Sequence, residues 1–456
     1  MDRTARLRGS SRSIRSTDAT TTAAPLGHRG PDLFRRLPAI VATAVLLVAS
    51  AAATAQTKAP KGPVFEPGKM TDGAAANGVT WHVRPPKGFD PKAGGVALLL
   101  LHGSNMNSAA YVNTVTGAFP KLAEDFVLIG IDGENRVAGS DPKYPACNYS
   151  YVNWGGKSKY PGTKAKESPV FVTEALAEIR KSLKLTKVYV GGHSQGGFLA
   201  YSLFLNFPDV FAGAFPISAG LIVQCEPDAF EDAAVRTAQR RGAIAIVHAK
   251  DDPVVSFSSG DNAWWSFLND RFPALKLVAP ERGAHMFGLL PIEDAVRWLV
   301  ASTEDDPKKA AAELAKSVEA KAWRDVAARS ARLKAIDTKL AHRGAIESAN
   351  KALETAAAAA VKAIRPAFTD GKDGVWLEAF TQFRNDFEFA AAAQPLLDVY
   401  AARREAQAKA AEKHWQDARA AWNAYKSPAA EDLCRKILRE CPASIHARYA
   451  LNALRK

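Results

Sequence analysis

Short runs of aliphatic and β-branched residues recur between residues 96 and 278. They are Val96-Ala97-Leu98-Leu99-Leu100-Leu101, Phe126-Val127-Leu128-Ile129-Gly130-Ile131, Lys187-Val188-Tyr189-Val190-Gly191, Ala243-Ile244-Ala245-Ile246-Val247 and Leu275-Lys276-Leu277-Val278. Each is too short for a helix of ordinary length and too continuously apolar to leave one face in water, so each predicts a buried parallel strand. Between them the spacing turns helical. One helix is expected from near Ser168, one from Gly197 to Leu205 with no breaker until Pro208, and a closing helix over 294–301. A further amphipathic helix after Ser258-Ser259-Gly260-Asp261 carries Trp264 and Trp265, expected as core and interface anchors rather than ligand contacts. Strands alternating with helices predict a mostly parallel sheet with helices on both faces.

From about Glu304 the pattern changes. Ala, Lys, Glu and Arg dominate, glycine and proline thin out, and the segment predicts helices throughout. Trp323, Val326, Leu333, Ile336 and Leu340 recur at three or four residues and predict one buried stripe. The stretch 369–374 breaks the helices, and residues 415–442 predict a pair split at Ser427-Pro428. That pair resembles a single tetratricopeptide hairpin only weakly. No catalytic constellation is visible here, so the segment is expected to be a scaffold or to bind a protein or polymer partner.

Chemistry concentrates at the ends of the predicted strands. Gly192-His193-Ser194-Gln195-Gly196 is a G-x-S-x-G placed where a strand meets a helix. A serine at such a corner sits on a strained turn, with its hydroxyl exposed and the next N–H groups at a helix N-terminus. The strand 243–247 runs into Asp251-Asp252-Pro253, and the strand 275–278 is followed by Gly283-Ala284-His285. The order is serine, carboxylate, histidine. Ser194 is the expected nucleophile, His285 the base, and Asp252 the group that orients the ring. Pro253 favours extended backbone at Asp252, so Asp252 is preferred over Asp251, which is left to solvent or loop backbone. Upstream, Leu101-His102-Gly103-Ser104 offers a second N–H, so Gln195 and Ser104 are the expected oxyanion donors. His102, His193 and His248 are expected to be structural neighbours.

These segments resemble the phospholipase/carboxylesterase family of α/β-hydrolases, with the poly(hydroxyalkanoate) depolymerase and feruloyl esterase group close to it. The resemblance rests on residues 192–197, 101–103, 252–255 and 283–285 and spans about 80–302. It implies an α/β-hydrolase fold and hydrolysis of carboxylic esters, with no metal and no cofactor. Ala249 and Ala284 stand where that family usually has glycine, which touches loop detail rather than the triad.

The setting follows from the remaining residues. An arginine-rich start, the apolar stretch 39–49 and Ala53-Thr54-Ala55 have the shape of a cleaved export signal, with a membrane anchor as the alternative. Four parts are therefore expected: a signal peptide over 1–55, a linker over 56–78, the hydrolase over 79–303 and a helical accessory domain over 304–456. The leader's eight Arg and three Asp account for +5 of the formal charge of +13, leaving +8 spread over mixed-sign helices. A solvated surface is expected from this, not a nucleic-acid site. Four cysteines in an exported chain suggest disulfides, and the local pairing is Cys147 with Cys225 and Cys434 with Cys441. The long stretch between 131 and 168 holds Tyr149, Tyr151 and Trp154 among other rings. As a set they are expected to line a substrate cleft.

The expected protein is an exported serine hydrolase acting on small or polymeric esters. The alternatives are a non-catalytic binding protein on the same scaffold, or a peptidase or thioesterase using the same triad.

Overall fold

The computed structural model describes residues 63–104, 106–133, 135–136, 149–150, 168–221, 240–370 and 375–455. Among the described residues ten strands are found: β1 Thr71–Ala74, β2 Thr80–Arg84, β3 Gly95–Leu101, β4 Val127–Ile131, β5 Asn135–Arg136, β6 Tyr149–Ser150, β7 Leu185–His193, β8 Gly213–Ile217, β9 Ala243–Val247 and β10 Leu275–Val278. Eight of them form one sheet in the order β1-β2-β4-β3-β7-β8-β9-β10. Within it only β2 runs against its neighbours, pairing antiparallel with β1 and β4, and every other pair is parallel. The expected fold class is met.

The continuous apolar runs are explained by burial on both faces. Along β3, Leu98 and Leu100 pack with Tyr111, Val112 and Val115 of the helix Ser108–Ala118 and with Val296 and Leu299 of the helix Ile292–Ser302. Ala97, Leu99 and Leu101 point the other way, into a layer holding Val172 and Ile179 of Ser168–Ser182, Leu199 and Leu203 of Gln195–Asn206, and Trp265 of Phe257–Asn269. A period of two on a strand covered by helices on both sides has no polar phase.

β8 was not among the expected strands. It lies between β7 and β9 and contains Pro216, which pairs opposite Gly192. A proline lacks the donor a central ladder needs, so this segment reads as a turn.

Beyond residue 306 the elements among the described residues are all helices, from Pro307–Glu319 to Ile445–Leu454. The expected stripe is only partly correct. Val326 and Leu333 are fully buried, but the helix Trp323–Ile336 ends before Leu340, which is exposed and has a φ of 56°. The expected pair is present, but its first helix, Gln394–Asn423, begins well before residue 415, and the second, Ser427–Glu440, opens at Ser427-Pro428.

The expected Cys434–Cys441 bridge is absent. Both are free, buried thiols. Cys434 sits inside the helix Ser427–Glu440 and Cys441 caps its end. Seven helical residues rise about 10.5 Å, beyond the roughly 6.8 Å that a disulfide spans between Cα atoms. Cys147 and Cys225 lie outside the described residues.

The helical region is bonded to the sheet's outer layer at Phe257–Asn269. Asp261 receives both guanidinium arms of Arg448 (2.7 and 2.8 Å) and the amide of Asn452 (2.6 Å). Trp265 Nε1 donates to Ile445 O (2.9 Å), and the Ser266 and Tyr449 hydroxyls are 2.9 Å apart. Arg384 donates to Asn269 Oδ1 (2.9 Å). Elsewhere Trp298 Nε1 donates to Asp325 (2.9 Å) and Lys187 pairs with Asp305 (2.6 Å).

Candidate active site

β7 delivers Ser194 to the top of the sheet, where the backbone turns through φ 54°, ψ −117° into the helix Gln195–Asn206. This left-handed corner costs a non-glycine residue on the order of 1–3 kcal/mol, so the surroundings must impose it. Ser194 N–H donates to Ile217 O (2.9 Å), while its own carbonyl accepts from Gly197 (2.8 Å) and Phe198 (3.1 Å). The flanking glycines are steric requirements. A Cβ on Gly196 would lie 2.3 Å from Leu101 O, and one on Gly192 would lie 2.5 Å from the backbone of Gly196. The serine therefore stands at a helix N-terminus, where the aligned peptide dipoles favour negative charge.

The carboxylate and the histidine meet. Asp252 Oδ2 accepts from His285 Nδ1 at 2.8 Å, and Oδ1 accepts the N–H groups of Val254 and Val255, both at 2.9 Å. The Asp252 side chain is fully buried, whereas His285 keeps 16% of its side chain exposed, so the ring remains reachable by a substrate. Burial alone would raise the Asp252 pKa. The bonds from His285, Val255 and Val254 outweigh it and hold the carboxyl below its ordinary range. His248, itself buried, bonds to Val255 O through Nε2 (2.8 Å) and lies 3.5 Å from Asp252 Oδ2.

The neighbouring aspartate has a different task. Asp251 Oδ1 accepts the N–H of Ala284 at 2.7 Å, so the residue before His285 is tied to the residue before Asp252. Ala284 has a φ of 48°, the left-handed conformation in which glycine is favoured, and the Asp251 bond helps to hold it there.

The other expected residues are placed as follows. Gln195 is the first residue of the helix Gln195–Asn206 and is buried. Gly103 packs against the serine, since a Cβ there would lie 3.3 Å from His193 Nδ1 and 3.6 Å from Ser194 Cβ, and Ser104 follows it, exposed. His193 is a neighbour of the site as expected. Its ring centroid is 4.5 Å from that of His285 and 6.2 Å from that of Phe287. Burial, reinforced by the nearby His285 charge, pushes the His193 pKa down to about 4. Tyr149 pairs through its backbone with Arg136 in the two-residue ribbon of β5 and β6. Tyr151 and Trp154 lie outside the described residues.

Sequence reasoning passed over Asp132. It stands directly past the end of β4, the same signal that pointed to Asp252 past the end of β9, and it is nearly fully buried beside the His102 loop. A separate cavity of about 620 Å³ lies between Phe257–Asn269, β10 and the helical region. Its walls include Trp264, Lys276, Asp325, Gln382 and Arg448, and none of the expected catalytic residues.

Residues 96–241 match a family model described as alpha/beta hydrolase fold. With the strand order above, this chain carries the α/β-hydrolase fold followed by an all-helical region. No curated protein sequence matches the chain. Among solved structures it is similar to a thermostable esterase, at 17% identity over 51% of this chain and 62% of that one, with a TM-score of 0.37. It is also similar to a ferulic acid esterase, at 15% identity over 48% of this chain and 90% of that one, with a TM-score of 0.36. A third is poly(aspartic acid) hydrolase-1 from Sphingomonas sp. KT-1, at 16% identity over 52% of this chain and 99% of that one, with a TM-score of 0.38.

Proposed function

We propose that this chain is a serine hydrolase that cleaves carboxylic esters through Ser194, His285 and Asp252. The observation that carries the reading is the Asp252–His285 bond of 2.8 Å beside the strained Ser194 corner. With Nδ1 committed to Asp252, Nε2 is the nitrogen left for the serine. Ser194 Oγ attacks the ester carbon while His285 Nε2 takes its proton. The tetrahedral oxyanion is stabilised by the N–H groups of Gln195 and Ser104. Collapse breaks the ester C–O bond, and His285 returns the proton to the departing alcohol. Water then attacks the acyl-enzyme by the same route and releases the acid. Throughout, Asp252 stays ionised and stabilises the imidazolium.

Three exposed apolar residues flank this pair. They are Val254 in the Asp252 turn, and Met286 and Leu289 just after His285. They favour a substrate with an apolar portion. Export is part of the proposal, supported by the basic and apolar segments at 1–55.

The test is turnover of short-chain p-nitrophenyl esters, together with labelling by a fluorophosphonate probe. Wild type should turn over the esters and take the label on Ser194. Ser194→Ala should lose both and keep its fold, with turnover down by several orders of magnitude. A folded Ser194→Ala protein with wild-type turnover would sink the assignment. A wild type that takes no label and hydrolyses no ester would favour the non-catalytic reading.

A further inference from the structure

The Asp132 carboxylate accepts three hydrogen bonds, two from Ser108 beyond the His102 loop and one from Thr80 on β2. Its Oδ1 accepts twice from Ser108, from the N–H and the hydroxyl, both at 2.7 Å. Its Oδ2 accepts from Thr80 Oγ1 at 2.5 Å, with His82 Nε2 3.5 Å away. The Asp132 N–H donates to Thr80 O at 3.0 Å, so the residue is fixed by backbone as well. Burial opposes the charge, but the bonds from His82, Thr80 and Ser108 outweigh it and hold the carboxyl below its usual range.

The next residue completes the arrangement. Gly133 N–H donates to His102 Nε2 at 3.3 Å, which leaves the proton on Nδ1, and Nδ1 donates to Gly103 O at 2.8 Å. Burial lowers the His102 pKa, so the neutral ring with this one tautomer is favoured. Residues 133 and 132 thus hold His102, which precedes Gly103 and Ser104, and Ser108, which opens the following helix. Between them lie Gly103, packed on Ser194, and Ser104, one of the two proposed oxyanion donors. Gly130, on the same strand, admits the loop closely, since a Cβ there would lie 2.8 Å from Ser108 Cβ.

We propose that Asp132 is a positioning residue for the oxyanion hole, acting through Ser108 to hold the loop that presents Ser104 N–H to the developing negative charge. This rests on the serine hydrolase reading above. A donor aimed at the transition-state oxygen contributes little to ground-state binding, so its displacement lowers kcat and leaves KM in place.

The experiment compares full-length wild type, Asp132→Ala, Asp132→Asn and Ser108→Ala on p-nitrophenyl acetate, with competent sites counted by fluorophosphonate titration. Asp132→Ala should lower kcat per competent site by tenfold or more, with KM within about twofold, below the 10²–10³ lost when a donor is deleted outright. Asp132→Asn keeps an oxygen facing Ser108 and should recover most of that loss. Ser108→Ala removes the hydroxyl bond only, should lose several-fold, and remains informative if Asp132→Ala does not fold. An unchanged kcat per site in Asp132→Ala or in Ser108→Ala overturns the proposal, as does a loss confined to KM. Failure of the underlying reading is separate, because it would appear as wild-type turnover in Ser194→Ala.

Discussion

His193 precedes the proposed nucleophile in the chain and packs against the proposed base, and its environment makes acid stability a quantitative test of the candidate site. Its pKa is pushed from 6.5 to about 4, first by burial and then by the charge of His285, with Asp252 pulling weakly the other way. A histidine depressed in the folded state binds its proton more readily when unfolded. Its contribution to stability is therefore complete above pH 6.5 and is lost as pH falls from 6.5 through about 4. At about 1.36 kcal/mol for each pH unit separating the unfolded and folded values, the loss is about 3 kcal/mol. Replacing the ring by His193→Gln removes that titration, while acid-sensitive groups that do not act on it, such as Asp132, remain in both proteins and cancel in the comparison. Urea unfolding between pH 7.5 and 4 should show the stability difference between wild type and His193→Gln shifting by about 3 kcal/mol in favour of the variant. The imidazole resonance assigned by that variant should titrate near pH 4. Parallel stability curves, or a His193 resonance titrating near 6.5, would refute the reasoning.

Other outcomes follow from single bonds. Asp252→Asn should lower kcat by up to about 10⁴ through loss of the ring's orientation and tautomer, whereas Asp251→Asn should cost far less because only the Ala284 backbone contact is touched; equal losses in ester turnover would show that the roles are misassigned. Ala284→Gly should leave activity intact and shift stability by no more than about 1 kcal/mol, since relief of the left-handed backbone offsets the added chain entropy. A larger drop in thermal midpoint would mean the methyl group itself packs in the loop. Cutting the chain at the Asp305-Asp306-Pro307 boundary leaves every proposed catalytic residue in place but strips Arg448 and Asn452 from the buried Asp261 and uncovers Trp265. The truncated protein should be markedly less stable than the full chain, and a soluble fragment with an unchanged thermal midpoint would show that those contacts contribute little.

The candidate site was legible because its polar residues sit at or just past strand ends. A short apolar run followed by Gly-x-Ser-x-Gly, Asp-Asp-Pro or Gly-Ala-His announces both the element and the place where a side chain leaves the sheet. The same rule applied to Ile131-Asp132 would have found Asp132, but a lone carboxylate with no following proline or paired glycine carries little local signal. What remained hidden was set by partners distant in the chain. β8 is a strand because β7 and β9 pair with it on both sides, which Pro216 obscures locally. Leu340 carries the right spacing for the stripe, but the chain has already left the helix at Asp337, whose side chain accepts the N–H groups of Ala341 and His342. The pairing of Cys434 and Cys441 was suggested by nearness in sequence, and a helix turns that nearness into separation.

The bond from Trp265 to Ile445 joins residues 180 positions apart. At about 5–20 residues per second of synthesis, roughly ten to forty seconds separate the appearance of the indole from that of the carbonyl that receives it. During that interval the helix Phe257–Asn269 has its sheet but not its outer partners, and Asp261 lacks the guanidinium of Arg448. The newborn chain therefore passes through a stage in which its sheet can form while one flank stays sticky and uncompensated. The helix Ile445–Leu454 is the one that ends this stage.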